Sequence, residues 1–406
     1  MSTSSTTAAR APSFMALLKV SEFRWLWLAE CQSTAGDQLA RVALSVLVFA
    51  RTGSAIATAG TYALTFVPAL LGGALLSGIA DRYPRRTVMV TVDVLRAVLL
   101  GLMAVPGIPL AVLAAIVVIA VLVGTPFTAA QGAVMPAILE GEQYVTGQAL
   151  RNLSGQAAQL LGFAGGGAVV AAVGTRPALV IDAVTFVVSA AVLRLRLAPY
   201  RPVGRTQHLE PHPRGLRSTL RLLSGTPRLR AWLLLAWLIG FYVVVEGVAV
   251  PLAHQLNGGA LLAGVLMAAS PAGTAVGAVI VGRFLTPSLR ARLVVPSAIG
   301  SGVALTGFAL NPGASAAVAL LFGSGLLGAY LIHVTATFTR SVPDSIRGQA
   351  VAIASSGLLV AQGLALLGGG ILGESIGSAH AIAVAGACGA VCAAVVGCRQ
   401  SEKAAR

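Results

Sequence analysis

Ser77-Gly78-Ile79-Ala80-Asp81-Arg82-Tyr83-Pro84-Arg85-Arg86 stands between two strongly apolar runs. One acid and three arginines crowd a turn too short to be a domain. The run on each side is near the roughly 20 residues that a helix needs to cross hydrocarbon. The stretch therefore predicts a turn at the mouth of two membrane spans, and the same alternation continues in both directions.

The 406-residue chain is 56% hydrophobic and 10% charged, where a soluble domain carries about a quarter charged residues. This predicts an all-α, polytopic membrane protein. Twelve apolar runs mark the spans, near 25–50, 57–80, 87–105, 109–132, 147–171, 177–196, 230–252, 259–283, 292–310, 314–338, 347–371 and 379–398. Pro68, Pro126 and Pro271 fall inside runs, as local kinks or as hinges; membrane helices tolerate such breaks where neighbours satisfy the freed carbonyls.

The net charge of +15 suggests nucleic acid until its distribution is followed. Arg82, Arg85 and Arg86 occupy one connection, Arg194 to Arg230 surround a second, Arg283, Arg290 and Arg292 a third, and Arg340 and Arg347 a fourth. The intervening connections hold little beyond Arg51 and Arg176. Arginine-rich connections stay cytoplasmic, so both termini are expected inside, no nucleic-acid partner is expected, and the basic stretches are expected to meet anionic lipid head groups. The composition, low in Lys and high in Ala, Gly and Arg, is that of a bacterial GC-rich genome and predicts a multi-pass protein of the inner membrane.

Residues 197–229, rich in Pro and Arg, divide the chain. The expected organisation is a tail at 1–24, a six-helix bundle at 25–196, the linker at 197–229, a second bundle at 230–398 and a tail at 399–406. Within the linker, Gly215 to Leu223 interleaves leucine and arginine as in a helix lying in the membrane interface. The bundles look duplicated: Gly165-Gly166-Gly167 recurs as Gly368-Gly369-Gly370, Gly147-Gln148-Ala149 as Gly348-Gln349-Ala350, and Pro84 as Pro287. Two pseudo-symmetric six-helix bundles follow.

Deep charges are the functional candidates, since an unpaired charge in mid-membrane costs at least about 2.5–3.5 kcal/mol. Asp37 has Arg41 one turn later, and is expected either to pair with it permanently or to change protonation as the cavity alternates between faces. Glu246 has no basic residue within a turn and needs water, a partner from another helix or a proton of its own. Glu30 lies nearer the arginine-rich side. Asp93 and Arg96, three apart, are expected to form a gating ion pair. Asp182 and His333 are weaker candidates; the histidine titrates near physiological pH but is as readily a hydrogen-bonding structural residue. Cys31, Cys388, Cys392 and Cys398 read as small packing residues. No phosphate-cradling loop, metal-ligand cluster or catalytic constellation is present in the sequence, so no enzyme, cofactor or metal is expected.

The turn at 77–86 resembles the signature loop between helices 2 and 3 of major facilitator superfamily transporters. That resemblance implies a cytoplasmic loop whose acid, here Asp81, holds the two halves together in the outward-facing state, with Ser77, Gly78, Arg82, Arg85 and Arg86 completing the gate. Ser77 replaces the usual first glycine and Pro84 the later one, and Phe284 stands at the counterpart of Asp81 in the second half. Phe23-Arg24-Trp25-Leu26-Trp27, Gly36-Asp37-Gln38-Leu39, Ile181 to Phe186 and Pro343 to Gly348 are similar to the macrolide- and multidrug-efflux branch. Gly162, Gly165, Gly166 and Gly167 resemble its antiporter motif, although Phe163 takes the proline position and packing alone explains the run. The resemblance implies a monomer that exports a hydrophobic small molecule, a drug, antibiotic or related metabolite, in exchange for protons. Siderophore or metabolite export, a lipid flippase and a non-transporting receptor are the alternatives.

Overall fold

A computed structural model describes residues 14–76, 78–200, 216–343 and 346–404, which form helices and connections with no strand among them. In apolar surroundings the backbone groups can bond only to one another, so apolar runs become helices. The first six passes are α1 (Ser21–Thr52), α2 (Ala55–Ala63, Val67–Leu76 and Ile79–Arg82), α3 (Arg85–Met103), α4 (Leu110–Ile138), α5 (Glu142–Val173) and α6 (Thr175–Arg196). The other six are α7 (Pro227–Trp237 and Ile239–Gln255), α8 (Ala260–Phe284), α9 (Pro287–Thr306, ending in the 3-10 turn Gly307–Leu310), α10 (Ala314–Gly328 and Tyr330–Ser341), α11 (Arg347–Ile376) and α12 (Ser378–Ala404). Short helices at Phe14–Leu18 and Leu216–Gly225 precede α1 and α7.

Among the described residues nine helical passes, α4 to α12, are long and apolar enough to cross a membrane. The first three fall short for local reasons. α1 carries Glu30, Asp37 and Arg41, and α3 carries Asp93 and Arg96. α2 breaks between Ala63 and Val67; Pro68 removes a backbone donor, and its ring crowds the carbonyl four residues back, at Leu64. Pro126 and Pro271, by contrast, lie inside continuous helices. α1 begins at Ser21, four residues before the expected bundle boundary, and α12 runs beyond 398 into the expected tail. A helix, Leu216–Gly225, stands where leucine and arginine interleave in the linker.

The duplication is written in the backbone. Three connections at the arginine-poor end need a left-handed residue: Gly53 (φ 63°), Gly107 (φ 82°) and Gly174 (φ 89°). Their counterparts about 203 residues on are Asn257 (φ 55°), Asn311 (φ 49°) and Gly377 (φ 88°). Glycine and asparagine are the residues that adopt this conformation at least cost.

The halves meet chiefly along α2 with α11 and α5 with α8, and α7 also packs on α2. One apolar core runs through both halves and includes Val48, Tyr62, Val170, Val248, Ala263 and Leu366. The arginine-rich base of the first half has a core of its own, built on Leu17, Phe23, Met89, Met135 and Leu193, to which no described residue of the second half contributes. The molecule is thus sealed between its halves at the arginine-poor end and parted at the arginine-rich end.

Candidate functional site

Glu246 of α7 stands at the seam itself. The Tyr62 hydroxyl of α2 donates to Glu246 Oε2 at 2.5 Å, so the carboxylate finds its partner in the other half. The Arg41 guanidinium lies 5.4 Å from the centre of the Tyr62 ring and 5.6 Å from that of Phe66. It also donates to Gln38 Oε1 at 3.3 Å. Arg41 does not pair with Asp37, as its spacing suggested, because its arm extends along the aromatic faces of α2.

Asp37 is met from α3. Arg96 Nη2 donates to Asp37 Oδ1 at 2.5 Å, with side-chain exposures of 19% for the arginine and 34% for the acid. The expected Asp93–Arg96 pair is therefore replaced. Arg96 lies 4.2 Å over the Phe186 ring on its way to α1, while Asp93 Oδ2 accepts from Ser189 Oγ of α6 at 2.6 Å. Asp182 of α6 is wholly buried against Gly36, with Thr185 Oγ1 donating to its Oδ1 at 3.1 Å. Asp93 Oδ1 and Asp182 Oδ2 have no hydrogen-bond partner among the described residues. Asp37, Asp93 and Asp182 thus gather near the Arg96 guanidinium, with Arg41 acting on Asp37 from the other side, so three acids share two cations.

Closer to the arginine-rich end, Arg151 of α5 grips Glu30 with Nε and Nη2, each at 2.6 Å, and also donates to Gln148. Bidentate geometry makes this the most constrained ion pair of the first half. His333 packs edge-on to Trp232, ring centres 6.4 Å apart, inside the second half.

At the arginine-poor end a second acid crosses the seam. Glu374 Oε2, near the end of α11, accepts from the backbone N–H of Ala55 at 2.6 Å, that of Ile56 at 3.3 Å and Ser54 Oγ at 3.1 Å. These donors form the opening turn of α2, whose unsatisfied N–H groups and dipole attract an anion. Glycines close the rest of the seam. A Cβ on Gly167 would lie 2.7 Å from Gly264 Cα across the α5–α8 pair, and one on Gly370 would lie 2.6 Å from Ala59 Cβ across α2–α11. Gly162 and Gly166 instead hold α5 against Ala35 and Leu39 of α1, and Gly165 faces open space. The glycine run divides between packing within a half and packing between halves.

The signature turn lies at the parted end. Ser77 falls outside the described residues. Gly78 caps the short helix Ile79–Arg82, on which Asp81 and Arg82 are exposed. The Asp81 carboxylate forms no hydrogen bond or ion pair with the described residues. Arg85 and Arg86 are engaged within the half, donating to the carbonyls of Ala133 at 2.6 Å and Leu197 at 3.1 Å. Tyr200, whose carbonyl accepts from Arg85 N–H, donates its hydroxyl to Glu22 at 2.5 Å. Partial burial and that carboxylate push its phenol up to about 12, so it remains a neutral donor at physiological pH.

Tyr62, Arg151, Ser189 and Glu374 were not singled out from the sequence. The signal for Glu374 was there: a lone acid ending a span, with Ser54 as a helix-capping residue in another connection. The other three become partners only when helices pack.

A family model described as Major Facilitator Superfamily matches residues 26–248. Among solved structures, a variant of the nucleoside transporter NupG is similar with a TM-score of 0.76 and 14% identity, over 92% of this chain and 98% of that one. A D-xylose–proton symporter is similar with a TM-score of 0.70 and 14% identity, over 92% and 96%. A bacterial homologue of the iron transporter ferroportin in its inward-facing state gives 0.69 and 15%, over 94% and 98%. At such identities the likeness is one of fold. No curated protein matches the sequence.

Proposed function

Because the chain belongs to the major facilitator superfamily of membrane transporters, we propose that it exports a hydrophobic small molecule by proton antiport, its two halves rocking about the seam. The observation that carries this reading is the Glu246–Tyr62 hydrogen bond, a carboxylate at the seam whose charge is tied to closure between the halves. When Glu246 takes a proton, the charge-assisted bond weakens to an ordinary one and the seam loosens. When it releases the proton, the bond to Tyr62 is restored. The Asp37–Arg96 cluster, short of positive charge, is a second station for the proton within the first half.

The seam helices support an apolar cargo. Ala55 to Leu76 of α2, Asn152 to Val173 of α5, Ala260 to Gly282 of α8 and Gly348 to Gly373 of α11 contain no charged residue. A path between such walls suits a molecule that partitions from water. The arginine asymmetry supports a cytoplasmic position for the parted end and for both termini, which makes this conformation inward-facing. Asp81, exposed here, then engages the second half only when the cytoplasmic end closes. We expect a monomer in a bacterial inner membrane.

The test is expression in a bacterium stripped of its efflux pumps, with a panel of hydrophobic compounds. Accumulation of a substrate should fall, the effect should vanish with the proton gradient, and Glu246→Gln should reduce it at least tenfold. Unchanged accumulation of every compound, with the protein shown to reach the membrane, would sink drug export. Export that persists without a gradient would remove the proton step.

A further inference from the structure

A groove on the second half belongs neither to the seam nor to the buried charges. It lies between α7 and α12, backed by Ala361 of α11, and encloses about 960 Å³. α12 packs chiefly on α7, α9 and α11, all within its own half, so the groove opens away from the first half and towards the lipid. Exposed Arg228, Arg230 and Arg399 stand at its arginine-rich mouth, and among the described residues no carboxylate lines it. Deeper in, the walls turn apolar through Trp232, Phe241, Val391 and Val395. The Trp237 indole, anchored by donation to the Ala354 carbonyl at 3.0 Å, forms part of the floor. A second cavity of about 390 Å³ shares Trp237, Phe241 and Ala361 with the first and continues along α11 to Leu372. At 1.5 Å per residue, the α7 wall from Arg228 to Phe241 alone is roughly 20 Å long.

We propose that this groove is a binding site for an anionic phospholipid. The guanidinia receive the phosphate, whose oxygens match their forked donors, and the apolar track takes an acyl chain. Trp232 and Trp237 give the track broad apolar faces below the guanidinia. A net-negative headgroup is selected over a zwitterionic one because, among the described residues, no lining carboxylate is available for an ammonium group. Three guanidinia and a contiguous apolar track fit an amphiphile with charge at one end, a shape that the export cargo between the halves does not need to have.

Native mass spectrometry of the full-length protein in detergent, with equal amounts of phosphatidylglycerol and phosphatidylcholine bearing the same chains, tests this. Each cation near an anionic lipid contributes roughly fivefold in affinity, so retained phosphatidylglycerol should exceed phosphatidylcholine by about tenfold or more. The triple change Arg228→Gln, Arg230→Gln, Arg399→Gln should bring the ratio near one, whereas Arg283→Gln with Arg292→Gln in another basic connection should leave it. Independently of any variant, the exposed thiol of Cys392, which lines the groove, should react with a maleimide several-fold more slowly in phosphatidylglycerol nanodiscs than in phosphatidylcholine ones. Cys398, also exposed but outside the lining, should not change. Equal retention of both lipids, a preference that survives the triple change, or equal protection of both cysteines would overturn the proposal. So would full displacement of the lipid by millimolar inorganic phosphate, which would leave a plain anion site.

Discussion

At the scale of single residues, each buried charge is defined by the partner it has found. Glu246→Gln keeps the shape but loses the charge; we expect proton-dependent efflux to fall at least tenfold. Tyr62→Phe, which removes only the donor and leaves the titratable carboxyl in place, should cost less. Efflux assays on both variants check the order, and a larger loss in Tyr62→Phe would contradict it. Arg96→Gln leaves Asp37, Asp93 and Asp182 without their shared cation. Breaking a buried pair costs roughly 3 kcal/mol or more, reduced here by the water that reaches the partly exposed Asp37. Adding Asp37→Asn to Arg96→Gln should restore part of the melting temperature, and a purely additive loss would show the pair to be uncoupled. Sequence alone marked Asp37 and Glu246, because charge in an apolar run is conspicuous. It misassigned the partners, because spacing along one helix ranks Arg41 first for Asp37 and Arg96 first for Asp93. Packing brings α3 and α6 against α1, and that decides otherwise.

At the scale of elements, the closed end of the seam is held by two devices, an acid that caps a helix and glycines that let helices touch. Glu374 caps α2 from α11, and an N-terminal cap is worth about 0.5–2 kcal/mol. Glu374→Gln should therefore shift the balance towards the state opened at the arginine-poor end, measurable as faster labelling of a cysteine placed at Ser54. Labelling unchanged from the parent would remove the latch. The glycines separate in the same way. Gly167→Ala collides with the backbone of Gly264, and overpacking of this kind costs typically about 1–3 kcal/mol. Gly162→Ala should lower thermal stability by crowding Ala35 within the first half, while Gly165→Ala, facing open space, should be silent in both assays. The sequence made the run visible as a packing motif; which glycine serves which interface follows from helix rotation, and no motif states that.

At the scale of the whole molecule, the twelve passes and the division into halves were legible because hydropathy and the repeat at about 203 residues are properties of the chain itself. The break in α2 at Pro68 and the paired left-handed residues at Gly53 and Asn257 are local consequences that agree with it. The parted end was not legible, since both conformations of a rocking molecule share one sequence. The central claim is that the halves exchange which end is sealed, and that small residues and carboxylates of the arginine-poor seam hold the present state. Spin–spin distances measure this most directly, on protein with its native cysteines replaced. One pair of labels would sit at Leu75 and Val351, on α2 and α11 towards the arginine-rich end, and another at Val173 and Leu261, on α5 and α8 at the opposite end. Combining Gly167→Ala with Glu374→Gln should shorten the first distance and lengthen the second in the same sample. Distributions that stay as in the parent, or that move in the same direction, would contradict rocking about this seam.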